Sequence, residues 1–587
     1  KRIERHTIKT VGYIRINMKS QIFIILFILL LPIVYASSDK LFHWETTISY
    51  TLALLCLVLL TKTISSKRKQ TISITILDIA ITLYFLYNLI LIYATDSSYI
   101  GNSDICKWGT TIGVYILICR LQNKKVVFYA LVFSGTEEAM TAIGQKLSLL
   151  DSGHTQFEVT GHLGNPGPLG GYLAVCLIIA SYLLWERYLN KKWWSISGLT
   201  IAVTLMTIGL ILADSRAAIM GLVAGCTLLL SSHYSLFRKY KKTILITSTS
   251  FLLLFGALLY LYRPQSGNAR LLIWKVSSEM LTDRPWSGHG VGSFPRQYMF
   301  YQAHHFENNN HTEEMMVADN AAYPYNELLH LAIETGIPGL LFALFVIAGV
   351  YMKSDSQHPP QPIARAGITS WLLFSMFSYP TDIFPVLLLF PLLSGCLHCR
   401  SILSCKTNRL SVISLSAMYL TIGIWAYTQG HLYQKASYEL SFLSKENNTK
   451  ALEFANTYHS QLKSNIKFNM LYAGWLAKHS CKPEDIPKII EIIPGTETYC
   501  WLGDYYRRIG MNEQAEEAYR IASFMVPTRL RPQYKLWRLY LEKGDTVKAV
   551  WTARQALHQP LKVENSFTIN AKSELNDYLL KTRNLSK

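Results

Sequence analysis

Hydrophobic and polar positions divide the chain into two parts at about residue 430. Before that point, apolar residues form runs long enough to cross a bilayer as a helix, which takes roughly 20 residues. After Gly430 no run of that length occurs. The pattern predicts an all-α protein with three segments: residues 1–20, a polytopic membrane helical bundle in residues 21–430, and a soluble α-helical domain in residues 431–587.

Thirteen apolar runs are candidates for membrane-spanning helices. They cover residues 21–37, 45–61, 71–94, 108–119, 126–147, 168–185, 194–213, 217–232, 243–262, 336–352, 363–379, 382–397 and 410–428. No signal-peptide cleavage pattern precedes the first run, so we expect it to be a retained helix. A long segment, residues 263–335, separates the ninth run from the tenth.

The charges of the loops predict the orientation. The loops after the second, fourth and eighth runs are basic, the first of them through Lys62, Lys67, Arg68 and Lys69. Because cytoplasmic loops carry the excess of Lys and Arg, we expect residues 1–20 in the cytoplasm of a bacterium, the bundle in its inner membrane, and both the 263–335 loop and the C-terminal domain in the periplasm. The formal net charge of +19 is split among short loops, so it indicates topology and not a nucleic-acid partner.

The C-terminal domain contains an internal repeat. Four residues recur after 34 positions: Tyr506, Gly510, Ala515 and Ala522 reappear as Tyr540, Gly544, Ala549 and Ala556. A 34-residue period with Gly at the turn and Ala at helix contacts is the tetratricopeptide pattern, and residues 433–500 are expected to hold one or two degenerate copies. Such arrays often present a concave surface to a protein partner. A structural platform packed on the membrane domain is the alternative.

The cysteines add two smaller hypotheses. Cys481 and Cys500 lie in the domain expected to be exported, where an oxidising compartment could pair them; buried free cysteines are the equal alternative. Cys396 and Cys399 have a metal-ligand spacing, but no second pair lies nearby in the sequence. We therefore expect no metal.

Two short motifs at predicted outer helix ends suggest a ligand site. The stretch from Gly161 to Gly171 contains His162 and Asn165, and its glycines allow a backbone to approach a ligand closely. Asp214-Ser215-Arg216 ends the seventh run. An Arg at that depth requires an anion, and a diphosphate suits its planar donor fork, while snorkelling to the membrane surface is the structural alternative.

The 263–335 loop is the third candidate region, since segments of this length between membrane helices usually carry function. Its cations, histidines, amide and carboxylates would suit a substrate with an anionic, lipid-anchored leaving group; they include Arg270, Arg284, His304, His305, Asp319, Tyr325, Asn326, Glu327 and His330. Near the middle of the fifth run, Glu137 and Glu138 are expected to face the bundle interior as structural polar contacts, because intramembrane acids are costly.

In ordered combination these motifs resemble the O-antigen ligase superfamily, which includes O-antigen polymerases and bacterial protein O-oligosaccharyltransferases. The resemblance covers roughly residues 20–400. It is carried by Gly161–Asn165, Ser215-Arg216, Arg270…Trp274…Arg284-Pro285, Gly288-x-Gly290-x-Gly292…Phe294 and Asn326-Glu327…Glu334-x-Gly336-x-x-Gly339.

The resemblance implies an inverting, metal-independent glycosyltransferase without a cofactor. Its substrate would be a glycan on undecaprenyl diphosphate, transferred to a hydroxyl of lipid A core or of exported protein. Arg216 and Arg270 would bind the diphosphate, with Arg284 as a weaker third. Asn165 and Asn326 would orient sugar or phosphate oxygens, with His162, Ser215, His304 and His305 as further substrate contacts.

Two positions depart from the pattern of the superfamily. Tyr325 stands where many members have a His that is proposed to assist deprotonation of the acceptor. Another group could replace it (His330, Glu327, Asp319 or a loop histidine), or positioning alone could suffice. The second departure is His162, where small or hydroxyl residues are usual.

Other functions remain as alternatives. A polymerase of lipid-linked units would use the same site. A transporter or flippase would share the many spans but would show paired repeats and broken midplane helices. A non-catalytic scaffold built around the repeats would leave the arginines unexplained.

Overall fold

The computed structural model describes most of the membrane region and the end of the chain. The described residues are 21–36, 50–58, 70–94, 102–352, 360–407 and 494–585, with gaps at 56, 122, 155, 234–239, 263, 309–310, 398 and 400, together with scattered positions between 410 and 476. The predicted cytoplasmic segment 1–20, the basic residues Lys62 to Lys69, Cys481 and most of the expected degenerate repeats lie outside them.

The membrane region is a bundle of helices, as the apolar runs predict. The helices are α1 (Gln21–Ala36), α2 (Ile76–Ala94), α3 (Asn102–Cys119), α4 (Lys125–Lys146), α5 (Pro166–Leu189), α6 (Trp193–Ala213), α7 (Arg216–His233), α8 (Lys241–Tyr262), α12 (Glu327–Tyr351), α13 (Pro360–Ser375) and α14 (Phe384–Gly395). Among the described residues, five of them (α2, α4, α5, α6 and α12) are long and apolar enough to cross a membrane. The total of thirteen spans stays a prediction.

Small residues let the central helices approach closely. α5 is the most buried of the five spans, and a Cβ at Gly170 would lie 2.5 Å from the Cβ of Ser215, which precedes α7. A Cβ at Gly171 would lie 2.5 Å from the ring of Phe374 on α13. The glycine-rich stretch therefore extends into α5, where Gly170 and Gly171 let neighbouring segments pack closely. This is the usual role of small residues between membrane helices.

A two-stranded ribbon is an addition to the predicted all-α bundle. β1 (Gln70–Thr75) pairs antiparallel with β2 (Ser401–Thr407). β2 lies in a loop that the charges assign to the cytoplasmic side, whereas β1 occupies the first residues of the predicted third run, so the helix begins at Ile76 and not at residue 71. At the opposite end, the segments that follow the fifth and seventh runs contact each other through Gly167 and Ser215. The 263–335 loop contacts the segment that follows the eleventh run and the C-terminal domain. The contacts agree with the alternation of the loops, and the identity of each side stays a prediction.

The 263–335 loop folds into three helices: α9 (Pro264–Asp283), α10 (Phe294–Asn308) and α11 (Thr312–Val317). The glycines after α9 form a clasp around a break in α12. Gly336 has φ +70° within α12, and the Gly290 amide donates to the Glu334 carbonyl (3.0 Å). A Cβ at Gly288 would collide with that carbonyl, and one at Gly336 with the Trp286 carbonyl. Two of the motifs that carry the resemblance are therefore halves of one structural unit.

The C-terminal domain is formed by helix pairs. Its described helices are α15 (Thr496–Arg508), α16 (Asn512–Met525), α17 (Leu530–Glu542), α18 (Thr546–His558) and α19 (Ser566–Leu585). Gly510 and Gly544 follow the first helix of each pair with φ of +81° and +72°, where a left-handed residue ends a helix at little cost. Cys500 is buried in α15. The helix pairs fit the 34-residue period, and the tetratricopeptide assignment stays a prediction.

The repeats pack directly on the 263–335 loop. Met525 and Val526 at the end of α16 are buried in one apolar cluster with Phe294, Tyr298 and Phe306 of α10. Burial of large aromatic side chains is a major source of stability. The C-terminal domain is therefore a neighbour of the loop and not a separate appendage.

Candidate functional site

Two arginines form the centre of the candidate site. Arg216 is the first residue of α7 and Arg270 lies in α9. Burial lowers the pKa of Arg270, and the positive charge of Arg216 lowers it further. Two cations that repel each other in a half-buried setting favour an anion with more than one negative charge.

The N-termini of two helices meet beside this pair. The Asn165 side chain caps α5 by accepting a hydrogen bond from the Gly167 amide (2.9 Å). The Ser215 hydroxyl, directly before α7, donates weakly to the Gly167 carbonyl (3.5 Å). Helix N-termini carry partial positive charge and are ready sites for phosphate. Asn165, Ser215 and Arg216 are thus brought together as the sequence predicts.

Tyr325 joins the site from the 263–335 loop. Its ring lies 5.5 Å from the Arg270 guanidinium carbon, and the ring of Tyr379 meets it edge-on at 5.5 Å. The backbone of Tyr325 has φ +53°, a strained conformation for a bulky residue and one that clusters at functional sites. Burial raises the pKa of Tyr325, although Arg270 opposes the shift. The phenol therefore stays protonated and can donate a hydrogen bond.

Asn326 and its neighbours begin α12. The Asn326 side chain accepts from the Leu329 amide (3.1 Å) and caps the helix. Glu327 is buried and accepts from the Thr381 hydroxyl (2.7 Å). His330 Nε2 lies 3.2 Å from Glu334. Glu327 and His330 therefore belong to an internal polar network in the first turns of α12.

Asp319 contacts the repeats instead of the arginines. Its two carboxylate oxygens lie 2.8 Å from Arg529 and 3.4 Å from Lys562. Burial alone would raise the pKa of Asp319, but the Asn320 amide and these two cations lower it. The sequence could not indicate this docking contact, because its partners lie more than 200 positions away, and the catalytic role of Asp319 stays a prediction.

Three further candidates lie apart from the arginine pair. Arg284 is exposed beyond the end of α9, about 20 Å from Arg270 at the helical rise per residue. His305 is buried and its ring nitrogens face Glu314 (2.8 Å) and Glu279 (3.4 Å). His304 is exposed on α10. The predicted role of Arg284 in binding diphosphate stays a prediction, and His305 links the loop helices α9, α10 and α11.

His162 is bound by the two acids of α4. Its Nδ1 lies 3.1 Å from Glu138 and 3.4 Å from Glu137, and Glu138 is completely buried. Burial alone would lower the pKa of His162, but the two carboxylates raise it to about 10. The acids face the interior as expected, and the sequence missed their partner. Because negative charge exceeds positive charge here, the cluster suits a hydroxyl or a cation better than a diphosphate.

Among the residues that the structure describes, two groups of side chains could hold a metal ion. Glu137, Glu138 and His162 form the first, and Glu327, His330 and Asp382 the second. In each group three ligand atoms lie within 4.8 Å of one another. Mixed carboxylate and imidazole ligands suit several divalent cations, so the prediction of a metal-free protein requires a direct test.

The segment between α13 and α14 supplies site residues that sequence analysis missed. Tyr379 packs against Tyr325, Thr381 binds Glu327, and Asp382 lies in the second acid–histidine group. The signal was the polar stretch from Ser378 to Asp382 between two apolar runs. We divided it between two spans, whereas the structure ends α13 at Ser375 and begins α14 at Phe384.

The apolar helices of the bundle indicate a multi-pass membrane protein. Residues 201–344 match the family model described as O-antigen ligase. The matched range begins in α6, contains Arg216, Arg270 and Tyr325-Asn326, and ends in α12. The match supports the resemblance to the O-antigen ligase superfamily of membrane glycosyltransferases for this part of the membrane region. No curated protein matches the chain.

Proposed function

We propose that the protein transfers an oligosaccharide or polysaccharide from an undecaprenyl-diphosphate carrier to an acceptor hydroxyl on the periplasmic face of the inner membrane. The observation that carries the proposal is the proximity of Arg216 and Arg270 beside the N-termini of α5 and α7. A diphosphate leaving group gains negative charge as the glycosidic bond breaks. Preorganised cations and helix dipoles stabilise that charge more in the transition state than in the ground state.

The reaction is an inverting displacement in our proposal. The acceptor oxygen forms the new bond to the anomeric carbon, the bond to the diphosphate breaks, and the hydroxyl proton leaves to a base or to water. Tyr325 remains protonated and Asp319 is bound to Arg529, so neither is a good base. We therefore infer that stabilisation of the leaving group contributes more than deprotonation of the acceptor, and that the site works without a metal or cofactor.

Exported protein is the acceptor that we favour, with lipid A core as the second choice. The reason is the C-terminal domain, which packs on the loop that contains Arg270 and Tyr325. A helical-repeat surface at that position could present a protein segment to the donor. Polymerisation of lipid-linked units uses the same chemistry and differs only in the acceptor.

The experiment uses purified full-length protein in detergent with a labelled glycan on undecaprenyl diphosphate. Lipid A core, an unfolded Ser/Thr-rich exported protein and a second lipid-linked unit are offered as separate acceptors, with and without chelator. We expect transfer to the protein acceptor that survives chelation. Transfer to another acceptor would change the assigned acceptor. Transfer abolished by chelator and restored by one divalent metal would contradict the metal-free mechanism and implicate an acid–histidine group.

A further inference from the structure

The segment that leads to Tyr325 is held from both sides. Ala318 is buried in the cluster that the loop shares with the repeats. On one side, Asp319 binds Arg529 and Lys562. On the other side, the Trp274 indole of α9 donates to the Pro324 carbonyl (2.8 Å). Residues 318–325 therefore form a strap between the repeats and α9.

Backbone contacts reinforce the repeat side of this strap. The Gln302 amide of α10 donates both to the Asp319 carbonyl and to the Met525 carbonyl of α16. The Asn320 side chain accepts from the Thr496 amide at the start of α15 (3.4 Å). The repeats thus contact the side chains of Asp319 and Asn320 directly, and they reach the backbone of the strap through Gln302 of α10.

The end of the strap requires such restraint. Tyr325 is strained, with φ +53°, and strained residues persist only where the surrounding structure determines them. Its ring packs on Arg270, and the next residue caps α12. A strap released at Asp319 could relax the backbone of Tyr325 and move the ring away from Arg270.

We propose that the C-terminal repeats are a clamp for the active-site loop, and that Arg529 and Lys562 are positioning residues which act through Asp319 on Tyr325 and Arg270. This inference rests on the proposed function and adds a role for the repeats in turnover. The salt bridges are half-exposed, and such pairs contribute little to overall stability. Their effect is therefore expected mainly in the geometry of the site, where a displacement of about 1 Å can reduce the rate roughly 100-fold.

The test compares charge reversal with a matched control. Arg529→Glu combined with Lys562→Glu places three like charges together at the strap, with Glu497 as a fourth beside position 529. We expect kcat to fall roughly 10- to 100-fold with little change in KM for the donor. Lys548→Ala removes another partly exposed ion pair, with Glu516 inside the repeats (2.8 Å), and should retain wild-type kcat. Arg529→Lys keeps the charge, and its kcat should lie between those of the double variant and Lys548→Ala.

A rescue experiment distinguishes a positioning role of Asp319 from a direct role of its carboxylate in the reaction. Adding Asp319→Arg to the double variant inverts all three charges and should restore most of the lost kcat, although no carboxylate remains at position 319. No rescue, with Arg529→Lys as inactive as the double variant, would overturn the clamp. The clamp would also be overturned if kcat of the double variant equalled that of Lys548→Ala.

Hydrogen exchange does not depend on activity, so it tests the clamp separately from the proposed glycan transfer. Hydrogen exchange of residues 318–326 should be faster in the double variant than in the wild type, while exchange in α17 should stay unchanged. Loss of protection throughout α15 to α19 would show an unfolded domain and overturn the localised clamp. If the wild type transfers no glycan but the strap responds as expected, the proposed function fails and the clamp stands.

Discussion

The ring of Tyr325 lies against the guanidinium of Arg270, with 5.5 Å between the ring centre and the Arg270 Cζ. A protonated phenol beside a cation cannot serve as the base that a histidine would be at this position. The contact instead holds the Arg270 side chain by a cation–π interaction, which depends on the aromatic ring and not on the hydroxyl.

The effect of a substitution at Tyr325 on kcat should depend on whether the aromatic ring is kept. We expect Tyr325→Phe to keep most of kcat and Tyr325→Ala to lose roughly tenfold, since a desolvated cation–π contact contributes about 1–2 kcal/mol. Initial rates of labelled-glycan transfer, at matched expression, measure both. A Phe variant as inactive as the Ala variant would show that the hydroxyl takes part in the chemistry.

The stability of the membrane domain should depend on pH through His162. Its pKa is raised from 6.5 to about 10, so its stabilising contribution is complete below pH 6.5 and is lost as pH rises towards 10. We expect the melting temperature of the wild type in detergent to fall across pH 7–10, and that of His162→Gln to fall less. His304→Gln, at an exposed histidine, is the control and should follow the wild type. Parallel curves for the wild type and His162→Gln would contradict the ion-paired assignment.

Adding a side chain at Gly288, in the clasp around α12, should destabilise the protein. Gly288 has φ +64° and no room for a Cβ beside the Glu334 carbonyl. Gly288→Ala should cost roughly 2–5 kcal/mol from overpacking and backbone strain together. Gly164→Ala is the matched control, because Gly164 has φ +73° and no atom within 4 Å of the added Cβ, so it isolates the backbone cost. Thermal unfolding should separate the two variants, and equal losses would show that the packing contact is unimportant.

The C-terminal domain should be exported. The 263–335 loop contacts the repeats and the segment after the eleventh run, and the alternation of the basic loops assigns this side of the bundle to the periplasm. Alkaline phosphatase fused after Lys587 should be active, and the same fusion within residues 234–239 should be inactive. If a reporter that fluoresces only in the cytoplasm were bright when fused to the C-terminus, the predicted orientation would be wrong.

Local patterns predicted the parts of the fold that depend on local physics. Apolar runs of bilayer length became helices such as α5 and α6, and the 34-residue period became helix pairs with Gly510 and Gly544 at their turns. The tenth apolar run begins at Gly336, whereas α12 begins at Glu327 and breaks at Gly336, so hydropathy alone did not indicate the first part of this helix or its break.

Contacts between distant segments could not be predicted. The β1–β2 ribbon joins strands more than 300 positions apart and has no turn signal. The partners of Asp319 and Glu138 are long-range ion pairs, for which a single sequence gives no pairing information. At the candidate site, the resemblance indicated Arg216 and Arg270 with Arg284 as a weaker third. The structure brings the first two together, whereas Arg284 lies beyond the end of α9.

The central claim is that Arg216 and Arg270 bind the donor diphosphate. The most direct measurement is the turnover of labelled glycan from undecaprenyl-diphosphate donor by Arg216→Ala and Arg270→Ala, with Arg284→Ala as the matched arginine control. Loss of one preorganised charge donor costs on the order of 3–4 kcal/mol, or roughly 10²–10³ in rate, so both variants should be nearly inactive although folded and inserted. Arg→Lys at either position should rescue only in part, because the bidentate fork is lost, and Arg284→Ala should remain near wild type. Near-normal turnover in both Arg216→Ala and Arg270→Ala would contradict the account.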